Sequence, residues 1–197
     1  KGRHNVTETW TPKNSNSEYR GMVTLKKALA LSINTVSAKL IDRVGPEAVV
    51  ELTKKLGVKS DIPAQPSIAL GAVEITVHDM VAAYGTFANQ GIYIKPEVIS
   101  KIEDKNGNIL YQTMPESHDV LNKDIAYAVV KLLEGVTESG SGGRLRTQGG
   151  GYGYNRVTGY PYVLTNPIAG KTGTTQNQSD GWFMGMVPNL VTGVWVG

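Results

Sequence analysis

Apolar residues keep helical spacing in the first and middle parts of the chain and give way to short alternating runs at its end. Thr24 stands where an N-cap belongs, ahead of Leu25, Ala28 and Leu29. The spacing resumes through Val36, Leu40 and Val44, and Gly45-Pro46 punctuates it. Pro46 suits the first turn of a helix over 47–56, which Gly57 ends. Residues 59–74 carry no period and hold prolines at 63 and 66. Thr76, with Asp79 three residues on, has the form of a capping box leading into Val77, Met80, Val81, Tyr84, Phe87 and Ala88; Gly91 closes that helix. Asn122 caps a further helix with Ile125, Val129, Leu132 and Leu133 on one face.

Between these helices, 92–103 reads as a strand, Asn106-Gly107 as a turn, and 108–111 as the returning partner. This predicts a small hairpin lobe over 92–112. Residues 135–162 hold many Gly and Tyr and no period, and are expected to form a long loop. Three strands follow, near 168–175, 181–187 and 191–197, and the short joins between them favour antiparallel neighbours. Helices first and a meander last predict an α+β fold, with the helices packed on an antiparallel sheet. The chain opens in a polar stretch, with Trp10, Pro12 and Tyr19 as anchors, and stops in mid-alternation at Thr192 to Gly197. Both ends are therefore expected to continue in a longer protein.

Composition narrows the chemistry. A chain of 197 residues can build one substantial core. Its 23 glycines cluster near 140–173 without a period of three, which excludes a collagen-like repeat. A net charge of +3, spread along the chain, gives no footprint for nucleic acid, and Arg144 and Arg146 read as surface charge. The absence of Cys removes disulfides, thiolate metal sites and a cysteine nucleophile. His4, His78 and His118 have no mutual ligand spacing, so neither metal nor cofactor is expected. No apolar run reaches the length of a membrane span.

Two short motifs carry candidate chemistry. Ser32 extends the apolar stripe of the first helix, while Asn34 lies about 200° further around an unbroken helix. If both side chains serve one pocket, the helix must break between Leu31 and Thr35. The plainer account is that Ser32 ends one helix and Asn34 caps the next. A hydroxyl aimed by two short helices can relay a proton, and an amide can bind a peptide group. Thr24 and Lys27 have nucleophile-to-lysine spacing, but Thr24 reads better as a cap.

The second motif is Ala169 to Thr175. On a strand Lys171 and Gly173 share one face, and Thr172 and Thr174 the other. Gly173 lets a bound backbone approach, and Lys171 supplies a charge for a carboxylate or a hydroxyl. The Thr174 N–H is an oxyanion donor candidate, and Thr174 and Thr175 offer hydroxyls to a substrate carboxylate. A phosphate loop is excluded: Thr165 stands where the first glycine is required, and Pro167 interrupts the would-be loop.

The ordered set resembles the transpeptidase domain of bifunctional (class A) penicillin-binding proteins. It comprises Trp10-Thr-Pro-Lys-Asn14, Tyr19-Arg-Gly21, Ser32-Ile-Asn34, Ala69-Leu-Gly71, Tyr84 to Gly91, Ala169 to Thr175 and Asp180-Gly-Trp-Phe183. The superfamily's S-x-x-K, S-x-N and K-T-G motifs have a shared role in serine acyl transfer; here Ile33 replaces the Asp of S-D-N. The resemblance implies a penicillin-binding transpeptidase or serine β-lactamase-like fold, of which 1–197 is the C-terminal portion. It implies Ser32, Asn34, Lys171 and Thr174 as catalytic residues, and Thr172, Gly173, Thr174 and Thr175 as substrate-binding ones. The implied partners are stem peptides ending in D-Ala-D-Ala, β-lactam antibiotics and the segment bearing S-x-x-K, with an extracytoplasmic location anchored from outside this chain. No Ser stands three residues before a Lys here, so these residues alone are expected to be inactive. Two alternatives stay open: a β-lactamase or carboxypeptidase relative, and a non-catalytic sensor or interaction module.

Overall fold

The computed structural model describes residues 10–146, 163–175 and 179–197. Most of the Gly/Tyr-rich stretch and the first nine residues therefore lie outside the described residues. Among the described residues five α-helices precede or flank a three-stranded sheet: α1 (Leu25–Ala30), α2 (Asn34–Val44), α3 (Pro46–Lys55), α4 (Val77–Ala88) and α5 (Lys123–Ser139).

Local capping explains where most of them begin. Thr24 Oγ1 accepts from the Lys27 N–H at 3.3 Å, and Asn122 Oδ1 from the Asp124 N–H at 2.8 Å. Pro46 opens α3. At α4 Thr76 Oγ1 accepts from the Asp79 N–H at 3.0 Å, but the expected reciprocal half of the capping box is replaced. Buried Asp79 instead accepts from the Lys59 N–H at 3.1 Å, tying the loop after α3 to the start of α4.

The strand expected over 92–103 is divided. β1 (Ile92–Ile94) stops before Pro96 and pairs with β4 (Ser117–Asp119), whereas β2 (Lys101–Glu103) pairs with β3 (Ile109–Gln112). Proline cannot donate to a ladder, and β4, Ser-His-Asp, is too short and polar to announce itself by alternation. The β1–β4 pair is fastened to the body: Tyr93 is buried against His118, with ring centroids 5.0 Å apart, and His118 Nε2 lies 2.9 Å from the Lys55 carbonyl. Gly57, with φ +83°, permits this seat, since a Cβ there would come within 2.3 Å of the Tyr93 ring. The β2–β3 hairpin is exposed along its length.

The main sheet has the order β5 (Ala169–Thr174), β6 (Gly181–Val187), β7 (Leu190–Val196), antiparallel throughout. One apolar cluster joins α3 and α4 through Val50, Leu56, Val58, Ile62 and Ala83. A second joins α5 to the sheet through Leu133, Ala169 and Met186, with Leu29, Tyr84 and Phe87 packed beside it. Full burial of one of the Val, Leu, Ile or Met side chains contributes about 1.5–3 kcal/mol. The loop expected from residue 135 begins later, because α5 continues to Ser139. Val136 and Thr137 are fully buried there, and the Lys26 stem lies where a Cβ at Gly135 would be. The fold is thus α+β, with helices packed on an antiparallel sheet.

Candidate active site

Helix α1 ends in a Schellman arrangement with Ser32 at its turning point. The Ile33 N–H donates to the Ala28 carbonyl at 3.0 Å, and the Ser32 N–H to the Leu29 carbonyl at 3.2 Å. That motif requires a left-handed residue, normally glycine, and Ser32 fills it with φ +52°. The break anticipated between Leu31 and Thr35 is present.

The plainer account of Asn34 needs correction. Asn34 is the first residue of α2, not its cap, and the capping position falls to Ile33, which has no side-chain acceptor. Asn14 does the capping from 21 residues away: its Oδ1 accepts from the Thr35 N–H at 3.0 Å. Asn14 is buried, and its Nδ2 donates to the Glu18 carbonyl at 2.6 Å. Asn34 Nδ2 in turn donates to the Lys13 carbonyl at 2.9 Å. A cavity of about 70 Å³ opens between this strap and the break, lined by Asn14, Glu18, Arg20, Leu31 and Ser32.

The β5 strand meets the break from the other side. Lys171 Nζ donates to Ser32 Oγ, a residue 139 positions away, and to the Thr172 carbonyl at 2.8 Å. Burial holds the Lys171 amine below the usual lysine range. Among the described residues no carboxylate forms an ion pair with it. A desolvated amine without a counter-ion is a strong polariser of a neighbouring hydroxyl.

The remaining predicted residues fall into separate settings. Thr172 Oγ1 lies 2.5 Å from Ser141 Oγ. At Gly173 a Cβ would stand 3.1 Å from that of its cross-strand partner Trp182, so a side chain there would crowd the start of the Trp182 side chain. Thr174 is exposed at the end of β5, opposite Gly181. Thr175 spends its hydroxyl on the Asp180 carboxylate at 2.8 Å and accepts from the Asp180 N–H at 2.9 Å. Trp195 Nε1 donates to the same carboxylate at 3.0 Å. The Thr175 and Trp195 bonds hold Asp180 below the usual carboxylate range. The outer edge of β5 has no strand beside it among the described residues, leaving backbone groups for an extended peptide. Among the described residues no three His, Asp or Glu side chains converge as metal ligands would.

Sequence reasoning missed four contributors. Asn14 gave no local signal, since its partner lies far along the chain. Thr137, within α5, donates to the Ile168 carbonyl at 2.6 Å and anchors the start of β5. Arg146, expected as surface charge, reaches the Thr165 carbonyl at 3.3 Å and Thr137 Oγ1 at 3.4 Å, bracing the same approach. Ser141 lay inside the presumed loop.

Comparison with known proteins identifies the family of the chain. The sequence matches the family described as the penicillin binding protein transpeptidase domain over residues 1–196. Among curated relatives, penicillin-binding protein 1A of Aquifex aeolicus is 43% identical over 190 residues, covering 96% of this chain and 24% of the relative. Penicillin-binding protein 1A of Neisseria gonorrhoeae is 34% identical over 194 residues, covering 95% of this chain and 22% of its own length. Among solved structures, penicillin-binding protein 1A from Haemophilus influenzae superposes with a TM-score of 0.82 at 24% identity, covering 99% of this chain and 33% of that one. The PonA1 protein from Mycobacterium tuberculosis, in complex with penicillin V, gives 0.75 at 28% identity, covering 94% and 50%. The chain spans about a quarter of the length of these curated relatives. It belongs to the transpeptidase domain family of penicillin-binding proteins.

Proposed function

We propose that these residues form the second and third motifs of a peptidoglycan D,D-transpeptidase, a β-lactam target acting on the outer face of the cytoplasmic membrane. The observation that carries this reading is the hydrogen bond from Lys171 to Ser32. It joins S-x-N and K-T-G into one polar centre beside a strand edge that has no neighbouring strand among the described residues. The nucleophilic serine and its lysine belong, in this reading, to an S-x-x-K segment elsewhere in the longer protein.

The reaction is acyl transfer in two steps. The nucleophile's oxygen attacks the carbonyl of the penultimate D-Ala of a stem peptide, and its proton leaves through the Ser32 hydroxyl. Lys171 lowers the cost of the alkoxide character that Ser32 acquires. The Thr174 N–H holds the oxyanion, as a preorganised backbone dipole. That proton reaches the departing D-Ala nitrogen as the peptide bond breaks. An amine of a neighbouring stem then attacks the acyl-enzyme, loses a proton to the same network and frees the serine. Asn34 contacts the donor peptide, Gly173 admits its backbone, and Thr172 and Thr174 bind its terminal carboxylate. Thr175, committed to Asp180, shapes the turn beyond them and reaches that carboxylate only by exchanging partners. β-Lactams mimic the D-Ala-D-Ala end and acylate the same serine.

Labelling with a fluorescent penicillin tests the reading. The full-length protein is expected to give a covalent band, and residues 1–197 expressed alone none. A full-length protein that takes no label supports the non-catalytic binding module instead. A labelled 197-residue chain requires a nucleophile within it, with Ser32 the first to substitute.

A further inference from the structure

The Thr172 hydroxyl has one proton to give, and the structure places a second hydroxyl 2.5 Å from it. A carboxylate only accepts. When one binds at Thr172, that hydroxyl must turn its proton outward, and its oxygen is then free to accept from Ser141. The resulting chain, Ser141 to Thr172 to anion, strengthens the outer bond by polarisation. An isolated threonine rotates among three staggered positions, and a fixed donor behind it selects one.

Ser141 is well fixed for that task. Its N–H donates to the Ala30 carbonyl at 2.9 Å, at the last turn of α1 and two residues before Ser32. Gly140 makes this approach feasible, since a Cβ there would sit 2.2 Å from the Ala30 oxygen. The Gly140 and Gly142 N–H groups both close on the Val136 carbonyl, at 3.2 and 2.9 Å, and Val136 is fully buried. Ser141 thus spans the two halves of the site, with its backbone on the Ser32 side and its hydroxyl on the Lys171-Thr172 strand.

We infer that Ser141 is a positioning residue for anion recognition, orienting the Thr172 hydroxyl toward the carboxylate of a peptide or β-lactam. This rests on the transpeptidase reading and assigns a further residue to it. Acylation of the full-length protein by benzylpenicillin and by its methyl ester, which lacks the carboxylate, provides the test. Ser141→Ala is expected to lower the second-order rate constant for benzylpenicillin about tenfold, through affinity before acylation and not through the limiting rate. The same substitution leaves the methyl ester within a factor of about two. Ser141→Thr restores the wild-type constant, and Ser141→Ala adds nothing in a Thr172→Ala background. Equal slowing of penicillin and ester would mean that Ser141 merely supports the fold, and no slowing would mean that it does not act on Thr172; either overturns the inference alone. A wild-type protein that neither compound acylates removes the transpeptidase reading and this inference with it.

Discussion

Ser32 occupies a left-handed backbone position and receives a hydrogen bond from Lys171, so the strained residue of the helix break is also the one that meets the strand. The strain and the contact have one origin. A regular helix would carry residue 32 along its own stripe, whereas the Schellman turn points it off the end of α1. A non-glycine residue in this region costs about 1–3 kcal/mol and persists where the surroundings compensate for it.

Ser32→Gly is therefore expected to separate stability from activity. Glycine adopts φ +52° without strain, so the variant should exceed Ser32→Ala in unfolding free energy by about 1 kcal/mol. Both variants should lose penicillin acylation by about a hundredfold or more, the usual scale for a lost proton relay. Urea unfolding and labelling kinetics on the same preparations measure the two quantities. An alanine variant as stable as the glycine one would disprove strain at this site.

Lys171 gives a pH signature. Burial lowers its pKa from 10.5, so the folded protein holds this proton less tightly than the unfolded chain does. The penalty is full below the folded pKa and fades as pH rises through 10.5, above which both states are neutral. Compared with Lys171→Met, the wild type should gain stability as pH climbs through that window. Parallel thermal melts from neutral to alkaline pH measure the difference, and a flat difference would refute the desolvated amine.

Asn14 is expected to matter for the site although it performs no chemistry. Asn14→Ala removes the acceptor for the Thr35 N–H and the donor to Glu18, and should cost about 1–2 kcal/mol. Asn14→Asp keeps the acceptor and should recover about half of that loss. Chemical denaturation gives both values. If the two variants prove equally destabilised, the bond to Thr35 is not what Asn14 contributes.

Elements defined by near neighbours were legible in advance. Thr24, Thr76 and Asn122 each bond an N–H two or three residues on, and Pro46 and Gly57 act on their own dihedral angles. The three closing strands showed in their alternation and short joins. Partners distant in sequence left no such trace. β1 has β4 as its neighbour rather than the adjacent strand, Asp79 turns to Lys59, and Thr137 and Ser141 each bond a residue 31 positions away. Only packing decides those pairings.

The candidate site divides along the same line. Helical geometry alone required a break between Leu31 and Thr35 if Ser32 and Asn34 were to serve chemistry, because the angular step per residue is a local property. Strand geometry alone set Lys171 and Thr172 on opposite faces. What the break and the strand aim at was settled by the tertiary structure. Ser32 meets Lys171, Asn34 meets Lys13, Thr172 meets Ser141 and Thr175 meets Asp180. Side-chain hydrogen bonds act over only a few ångströms, so their partners are determined when the α5–β5 and α1 surfaces come into contact, and no spacing along the chain encodes that distance.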